Sequence, residues 1–533
     1  MPQQNKPHDR VVYEDFSLGD YGVQHPRQAK TGSFHGINVV KYRDGTLGPR
    51  NGLVLQPLSG SGYVNGALNM LYFGVEHELA TPRMVYGQDV TPRWFEVEDM
   101  TSQNPGHFTG PSGTPDPFVF GSEPSNGKVA VLERLGFNMF WSPLADNTYL
   151  VDALSDEVTT LSGTNQSFGA HDIIEYLDQV YLVGIGDGAS GRGHKVVYSD
   201  HADPTTWPDE NIFLVGYAWV LSHGLRMLNG LIMTSQDERW YLLQGTPEEG
   251  SLRNVASGRG PALNSHNGVL VYKDRAYYIA TGAPGGAYPC TFDGQDNDTT
   301  SLAHLRGHLD GGENIGALLC EADGDMLFVD DDANALWFHE GVWTRHDYEL
   351  AVGEWCSSYD DQKFYLTVDG DDTHKPAFYR SMFNLDRPPI KDSLWESPGD
   401  GSDTPVDAWV EFPELWQPDG STMRPMTVTV EFTSYDQNVT AVPNLGLEVD
   451  VIDRFSQFGG ELSTQTITAP AWNETTAEVA IASTEDGVRR RHIFRLPVAH
   501  FGAALQVRLT DIVGVKIERV VLDFELAEQL DRA

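Results

Sequence analysis

A unit of short apolar strands recurs along the first three quarters of this chain, and it limits the fold more than any other feature. Each copy is an apolar strand, a tight polar turn, a second apolar strand, a longer polar turn and an aromatic-rich third strand. Copies read AVLERLGFNMFWSPLADNTYLV at 130–151, IIEYLDQVYLVGIGDGASGRGHKVVYSD at 173–200 and LRMLNGLIMTSQDERWYLL at 225–243. Further copies are VLVYKDRAYYIATGAPGGAYPCTF at 269–292, ALLCEADGDMLFVDDDANALWFH at 317–339 and CSSYDDQKFYLTVDGDDTHKPAFYR at 356–380, with a less regular one over 66–97. Their first tight turns fall near Gly136, Gln179, Gly230, Arg275, Asp325 and Gln362, at separations of 43, 51, 45, 50 and 37 residues. Amphipathic helix patterns are nearly absent, and the apolar runs are bounded by Gly, Asp, Asn and Pro. A hairpin unit with two apolar sides cannot bury both alone, and a period of about 40–50 residues is that of β-propeller blades. The sequence therefore predicts an all-β chain with an N-terminal β-propeller of about seven blades over 66–381. Residues 1–65 are read as an N-terminal extension able to supply a strand to the last blade and close the ring.

The pattern breaks at MFNLDRPPIKDSLWESPGDGSDTP, 382–405, a run of Pro, Asp, Ser and Gly that reads as a linker. Beyond it the period becomes two. Met426, Val428, Val430 and Phe432 alternate with Thr427, Thr429 and Glu431, and Leu505, Val507 and Leu509 alternate with Gln506, Arg508 and Thr510. Such alternation belongs to sheets with one face buried. Residues 406–533 are predicted to form an antiparallel β-sandwich of jelly-roll type. The closing ELAEQLDRA is read as a short helical tail.

Charge excludes several functions. Asp and Glu number 76 against 36 Lys and Arg, a net charge of -40 on 533 residues. That surface repels phosphate backbones and anionic lipid, so adhesion to nucleic acid or to a membrane surface is excluded for the chain as a whole. With 40% hydrophobic and only 21% charged residues, the chain is nonetheless a folding one rather than a disordered polyelectrolyte. Cys290, Cys320 and Cys356 are too few and too far apart for a disulfide framework or a zinc site, and are expected as buried apolar residues. The polar start MPQQNKPHDR carries no secretory signal pattern, and no apolar run reaches bilayer length, so no membrane anchor is expected.

Candidate chemistry is sparse. GDGASG at 186–191 matches a dinucleotide fingerprint, but a strand, HKVVYSD, follows it where a helix is needed. Acidic groups gather at Asp323, Asp325, Asp330, Asp331 and Asp332, at Asp293, Asp296 and Asp298, and at Asp369, Asp371 and Asp372. None has the EF-hand spacing, and Asp also serves turns by capping local backbone groups. No cofactor is therefore expected, with structural calcium at one such cluster as the alternative. SDHADPTTWPD at 199–209 looks like a degenerate Asp-box, the structural turn of sialidase-type propellers, which makes Trp207 a packing residue. Metalloprotease, serine-hydrolase and P-loop motifs are missing, the 17 histidines show no ligand spacing, and the chain is expected to be no enzyme. The run Arg489, Arg490, Arg491, His492 is the sharpest basic feature. It reads either as a solvated strand or turn, or as an ionic contact with an acidic neighbour such as a second copy.

YRDGTLGPRNGLVLQP at 42–57 resembles a segment near the N-terminus of β-propeller virion proteins of tailed bacteriophages, in which a D-G turn precedes an Arg and a Gly that lead into the first blade. VVYSDHADPTTWPDENIFLVG at 197–216, LRMLNGLIMTSQDERWYLLQGTP at 225–247 and FGAALQVRLTDIVGVKIERVVLDFE at 501–525 are similar to other parts of those proteins. The resemblance spans most of the chain through loose motifs. It implies a structural virion protein of a tailed phage or archaeal virus: a homo-oligomeric tail nozzle or tail-tip ring around the DNA exit channel. Such a protein is made in the host cytoplasm, sits in the virion tail beside other tail or tail-adaptor proteins, and lets DNA pass without specific binding. The alternatives are a tail protein that binds a host receptor glycan, with Trp395 and Trp416 as stacking residues, and a propeller-type glycosidase. The resemblance carries over no catalytic residue.

Overall fold

The computed structural model describes most of residues 9–50, the strands between 54 and 160, most of 170–348, the strands between 352 and 405, and most of 406–527. From 54 to 107 and from 114 to 152, and again from 352 to 405, the description is of the backbone. Helix is confined among the described residues to one turn of 3-10 type, Ala303–Leu305.

Among the described residues, seven propeller-like sheets follow one another along the chain. Sheet I runs from Leu68–Gly74 to Gly106–His107, and sheet II from Thr109–Gly110 to Glu157–Thr160. Sheet III holds Asp172–Tyr176, Gln179–Ile185, Lys195–Tyr198 and Ile212–Leu214, and sheet IV runs from Leu221–Met227 to Ser251–Ser257. Sheet V runs from Val269–Tyr272 to Asn297–Asp298, and sheet VI from Ile315–Cys320 to Val342–Asp347. Sheet VII contains Val352–Ser357, Lys363–Val368 and Ala377–Met382. Its fourth strand is Val54–Gln56, which pairs antiparallel with Ala377–Met382. One inner strand from each sheet packs against its counterpart in the next, and Val352–Ser357 packs against Leu68–Gly74, so the series closes on itself.

The described hairpins of sheets III and V turn through two residues held at positive φ, each pair ending in an Asp. Leu177 and Asp178 take φ of 51° and 57°, and Lys273 and Asp274 take 49° and 57°, the geometry of two-residue turns whose twist matches that of the flanking strands. Packing between neighbouring sheets then buries both sides of the hairpins in sheets III, IV and V. Tyr181, Val183 and Val196 of sheet III meet Leu231, Met233 and Tyr241 of sheet IV. Ile232 and Leu242 of sheet IV meet Tyr278, Cys290 and Phe292 of sheet V. Asp172 adds a polar tie across sheets III and IV, its buried carboxylate accepting from the amides of Ile173 at 2.6 Å and Gly224 at 2.7 Å.

The remaining strands build two seven-stranded sheets around a separate apolar core. The first orders Val39–Lys41, Leu47–Pro49, Val515–Leu526, Met423–Ser434, Gly487–Arg495 and Ala480–Thr484, with Asp9–Tyr13 also on Val515–Leu526. The second orders Gly19–Asp20, Ser33–Ile37, Trp409–Glu411, Ala504–Val513, Asn444–Asp453 and Ser463–Asn473, with Leu415–Trp416 on Ala504–Val513. The alternation read in the sequence is the core pattern from Val428 onward: Val428, Val430 and Phe432 from one sheet and Leu505, Val507 and Leu509 from the other are fully buried together, whereas Met426 is half-buried at a register shift between Pro425 and Thr427.

Three features differ from the sequence reading. Residues 9–49 are not an appendage of the ring, because their strands belong to both larger sheets; Asp9 lies opposite Phe524, for example. The antiparallel pairing expected over 406–533 is joined by a parallel pair from outside that range, since Gly19–Asp20 runs parallel to Ser33–Ile37. The first residues of the expected helical tail, Glu525 and Leu526, are still strand, held opposite Arg424 and Met423. For Asp9–Tyr13 and for Glu525 and Leu526 the partner lies far away in sequence, where local periodicity carries no signal, and Gly19–Asp20 and Ser33–Ile37 are too short to show a period. Within 382–405, Lys391–Ser393 and Asp403–Pro405 pair as a small hairpin.

Candidate interfaces

The segment that begins in the larger sheets and ends in the ring brings polar groups to a buried seam against sheet VI. Gly19–Asp20, Ser33–Ile37 and Val39–Lys41 all pack on Val342–Asp347. Asp20 lies at its centre with a side chain of 0% exposure, 3.4 Å from Nε of Arg345, whose side chain is 8% exposed. The other carboxylate oxygen of Asp20 meets Nδ1 of His35 at 3.0 Å and accepts the Gly22 amide at 2.6 Å. Burial alone would raise the Asp20 carboxyl. The His35 bond, the charges of Arg345 and His35 and the Gly22 amide outweigh it and hold the carboxyl below its ordinary range. Gly22 can be nothing larger: its φ is +58°, and an added Cβ would lie 1.8 Å from the carbonyl oxygen of His304.

Arg50 makes the second tie. It is 1% exposed, with its guanidinium 4.3 Å above the Tyr348 ring. It donates to Oδ1 of Asn38 at 3.0 Å and to the Asp347 carbonyl at 2.9 Å, while that same Asn38 oxygen accepts the Asp347 amide at 2.9 Å. Polar contacts continue from the seam across the second large sheet. Tyr21 donates to Oε1 of Glu411 at 2.9 Å, Gln506 donates to the same oxygen at 2.7 Å, and Arg508 grips the other oxygen at 2.5 Å. Burial first, and then the Glu411 carboxylate, push the Tyr21 hydroxyl upward.

Strand alternation divides the arginine run. Arg489 and Arg491 lie on the exposed face of Gly487–Arg495, and their acidic neighbours belong to the same chain: Glu518 at 2.6 Å from Arg489 and Glu431 at 3.7 Å from Arg491. Arg490 turns the other way, donating to Ser434 Oγ at 2.7 Å with its guanidinium 5.5 Å from the Trp472 ring centre. Ion pairs this exposed contribute at most about 1 kcal/mol each, so Arg489 and Arg491 remain accessible cations on a largely acidic molecule.

The remaining sequence candidates divide clearly. Trp207 is buried among Ile173, Val180, Leu182 and Val197, and its indole N–H donates to the Pro204 carbonyl at 2.8 Å, so the Asp-box is a packing turn. Asp203 accepts from Thr205 and Thr206 within that turn, which keeps its carboxyl low. Asp298 caps Thr300 and Ser301 and is lowered to about 2 by those bonds. Asp293 caps Gln295 and Asp296, Asp330 caps Asn334, and Asp325 pairs with His339. Cys290 and Cys320 are buried thiols. GDGASG, Asp323, Asp331, Asp369, Asp371, Asp372 and Trp395 lie outside the described residues, but the strands Gln179–Ile185 and Lys195–Tyr198 flank GDGASG on both sides. Among the described residues no group of His, Cys, Asp and Glu has a metal-holding arrangement, and no helix is long and apolar enough to cross a membrane. Sequence reasoning missed Asp20, His35, Arg345 and Glu411; of the seam, only Arg50 carried a signal, inside the motif at 42–57.

No family model matches the sequence, and no curated protein is similar to it. Among solved structures, U3-55K aligns with 60% of this chain and 96% of its own at 10% identity and a TM-score of 0.42. The WD40 repeats of RRP9 align with 60% of this chain and 95% of their own at 9% identity and a TM-score of 0.41.

Proposed function

We propose that this chain is a structural virion protein of a tailed phage or archaeal virus, with copies assembled as a nozzle or tail-tip ring around the DNA exit channel. In this reading the seven sheets are the blades of a propeller, and the two larger sheets are a jelly-roll-like β-sandwich. The observation that carries the reading is where the described parts of 42–57, one of the stretches that resemble virion propellers, are placed. The Asp44–Gly45 turn, with Gly45 at φ +84°, leads into Leu47–Pro49 of the first large sheet. Arg50 then pins the seam, and Val54–Gln56 completes sheet VII. The motif thus builds a joint between two bodies, a mechanical task that asks for no catalytic group.

Charge supports the same reading. A chain of net charge -40 lets duplex DNA slide past without adhesion. Arg489 and Arg491 are the cations we assign to contact with the next copy or with a neighbouring tail protein. Electron microscopy of the purified protein tests the reading. Closed rings, lost when both arginines are replaced by Ala, are expected. A protein that stays monomeric and never enters tails when made beside the other tail components refutes it. A second reading, binding of a host receptor glycan, is favoured by Trp416, which is 39% exposed on Leu415–Trp416. A glycan array with wild type and Trp416→Ala distinguishes it.

A further inference from the structure

Histidines from three separate stretches of sequence meet at the seam. His35 comes from the second large sheet, His304 and His308 from the segment after sheet V, and His339 and His346 from sheet VI. Two of them already have carboxylate partners: His35 meets Asp20 at 3.0 Å, and His339 meets Asp325 at 2.7 Å. Among the described residues the other three have none. His346 is 0% exposed between the rings of Trp337 and Tyr348. Its Nε2 shares a 2.8 Å bond with Thr344 Oγ1, and its Nδ1 has no hydrogen-bond partner among the described residues. Nε2 of His308 donates to the His346 carbonyl at 2.8 Å. The backbone of His304 lies against Gly22, where a Cβ would touch its carbonyl.

The charged groups facing these rings favour the neutral form at His346 and His308, while at His304 Asp20 outweighs Arg345 and burial alone sets the direction. His346 faces Arg50, His308 and His339. His304 and His308 face Arg345 and Asp20, whose charges oppose one another. Asp20 is itself engaged by Arg345, His35 and Gly22. Asp325 is bonded to His339, and Asp347 presents its carbonyl to Arg50. Arg43 and Glu340 form an ion pair at the edge, at 3.2 Å. Burial is the largest cause that lowers each of the three imidazoles, and it lowers His346 furthest.

We propose that this seam is a pH-operated latch, closed near neutrality and released in mildly acidic surroundings while the ring and the two large sheets stay folded. The direction follows from linkage. A histidine neutral when buried and freely protonated when exposed binds more protons in the open state, so stability is full above the free imidazole pKa and falls as pH drops below it. Each such group multiplies the opening constant by about tenfold per pH unit, until the pH reaches its lowered closed-state pKa. Asp20, held low, keeps its charge through that window and does not drive the release. The seam is an intrachain contact, so the latch requires no particular partner or assembly.

Hydrogen exchange on the full chain at pH 7.5 and pH 5.0, corrected for intrinsic rates, reads the latch directly. Amides in Gly19–Ile37, Ala303–Leu309 and Val342–Tyr348 are expected to lose at least tenfold more protection on acidification than those in Leu221–Ser235 and Val428–Phe432. Equal changes in both sets would overturn the proposal with wild-type protein alone. His346→Gln and the triple variant His304→Gln, His308→Gln, His346→Gln keep amide donors and acceptors but cannot titrate. Either variant, if folded at pH 7.5, is expected to lose part or all of the excess. An undiminished acid response in the triple variant, or in His346→Gln should the triple variant not fold, would also overturn it.

Discussion

Removing the charge of Asp20 tests the seam most severely. Its carboxylate is wholly buried and Arg345 nearly so, and Asn at position 20 preserves shape while leaving a guanidinium without its counter-charge. Breaking one side of a buried pair costs about 3–5 kcal/mol, because the surviving charge stays out of water. Asp20→Asn should therefore raise the opening of the seam by between about two and four powers of ten at pH 7.5. Arg345→Met should act in the same direction but less strongly, since Asp20 keeps its bonds to His35 and the Gly22 amide. The double variant has no buried charge left from the pair, so its cost should fall short of the summed single costs by about 2 kcal/mol or more. Hydrogen exchange at the Tyr21 and Asn38 amides reads all three, because both bond across strands at the seam, Asn38 directly to the Arg345 carbonyl at 2.8 Å. Strict additivity, or single effects under about 0.5 kcal/mol, would refute the view that this pair couples the two bodies.

Other outcomes follow from the same structure. Gly22→Ala should cost about 1–3 kcal/mol, since it places a side chain at positive φ against the His304 carbonyl; a melting curve identical to wild type would contradict that geometry. Trp207→Ala should cost about 3–5 kcal/mol, as for other buried aromatics, read as early loss of protection in sheet III while the two large sheets hold. Deleting residues 1–56 removes the fourth strand of sheet VII and exposes the edge of Ala377–Met382; size exclusion should show association, and a monodisperse monomer would count against ring closure by that strand. Raising salt from about 0.1 to 1 M shortens the screening length from about 10 to 3 Å and should raise the melting temperature of so acidic a chain; a fall would place the dominant electrostatics in attractive pairs.

The legible parts of this fold are those in which neighbours in space are neighbours in sequence. The turns at Leu177–Asp178 and Lys273–Asp274 immediately precede Gln179 and Arg275, where the apolar runs had located them. Val428, Val430 and Phe432 announce their common face by alternation alone. Asp20 announces nothing, because a buried aspartate and a turn aspartate look alike until Arg345 arrives from hundreds of residues away. The same holds for the strands within 9–49, which are two to five residues long and too short for a period. Histidines 35, 304, 308, 339 and 346 show no common spacing, since three unrelated segments deliver them. Arg489, Arg490 and Arg491 are conspicuous as a run, yet strand geometry sends the middle one to a different task.

Val54–Gln56 carries one more consequence, for the order in which the chain leaves the ribosome. This strand emerges before any of the seven sheets is complete, yet its partner, Ala377–Met382, is made more than three hundred residues later. Asp9–Tyr13 waits longer still, until Val515–Leu526 has been synthesised. The ring has all its strands once Ala377–Met382 has emerged, but the two large sheets cannot finish until Val515–Leu526 is made, and the N-terminal strands must be kept from pairing wrongly in the meantime. A nascent chain stalled between 382 and 515 therefore holds every strand of the ring beside two large sheets that are still unfinished. Completion of the large sheets is then a separate and later event than closure of the ring, triggered by the arrival of the last strand.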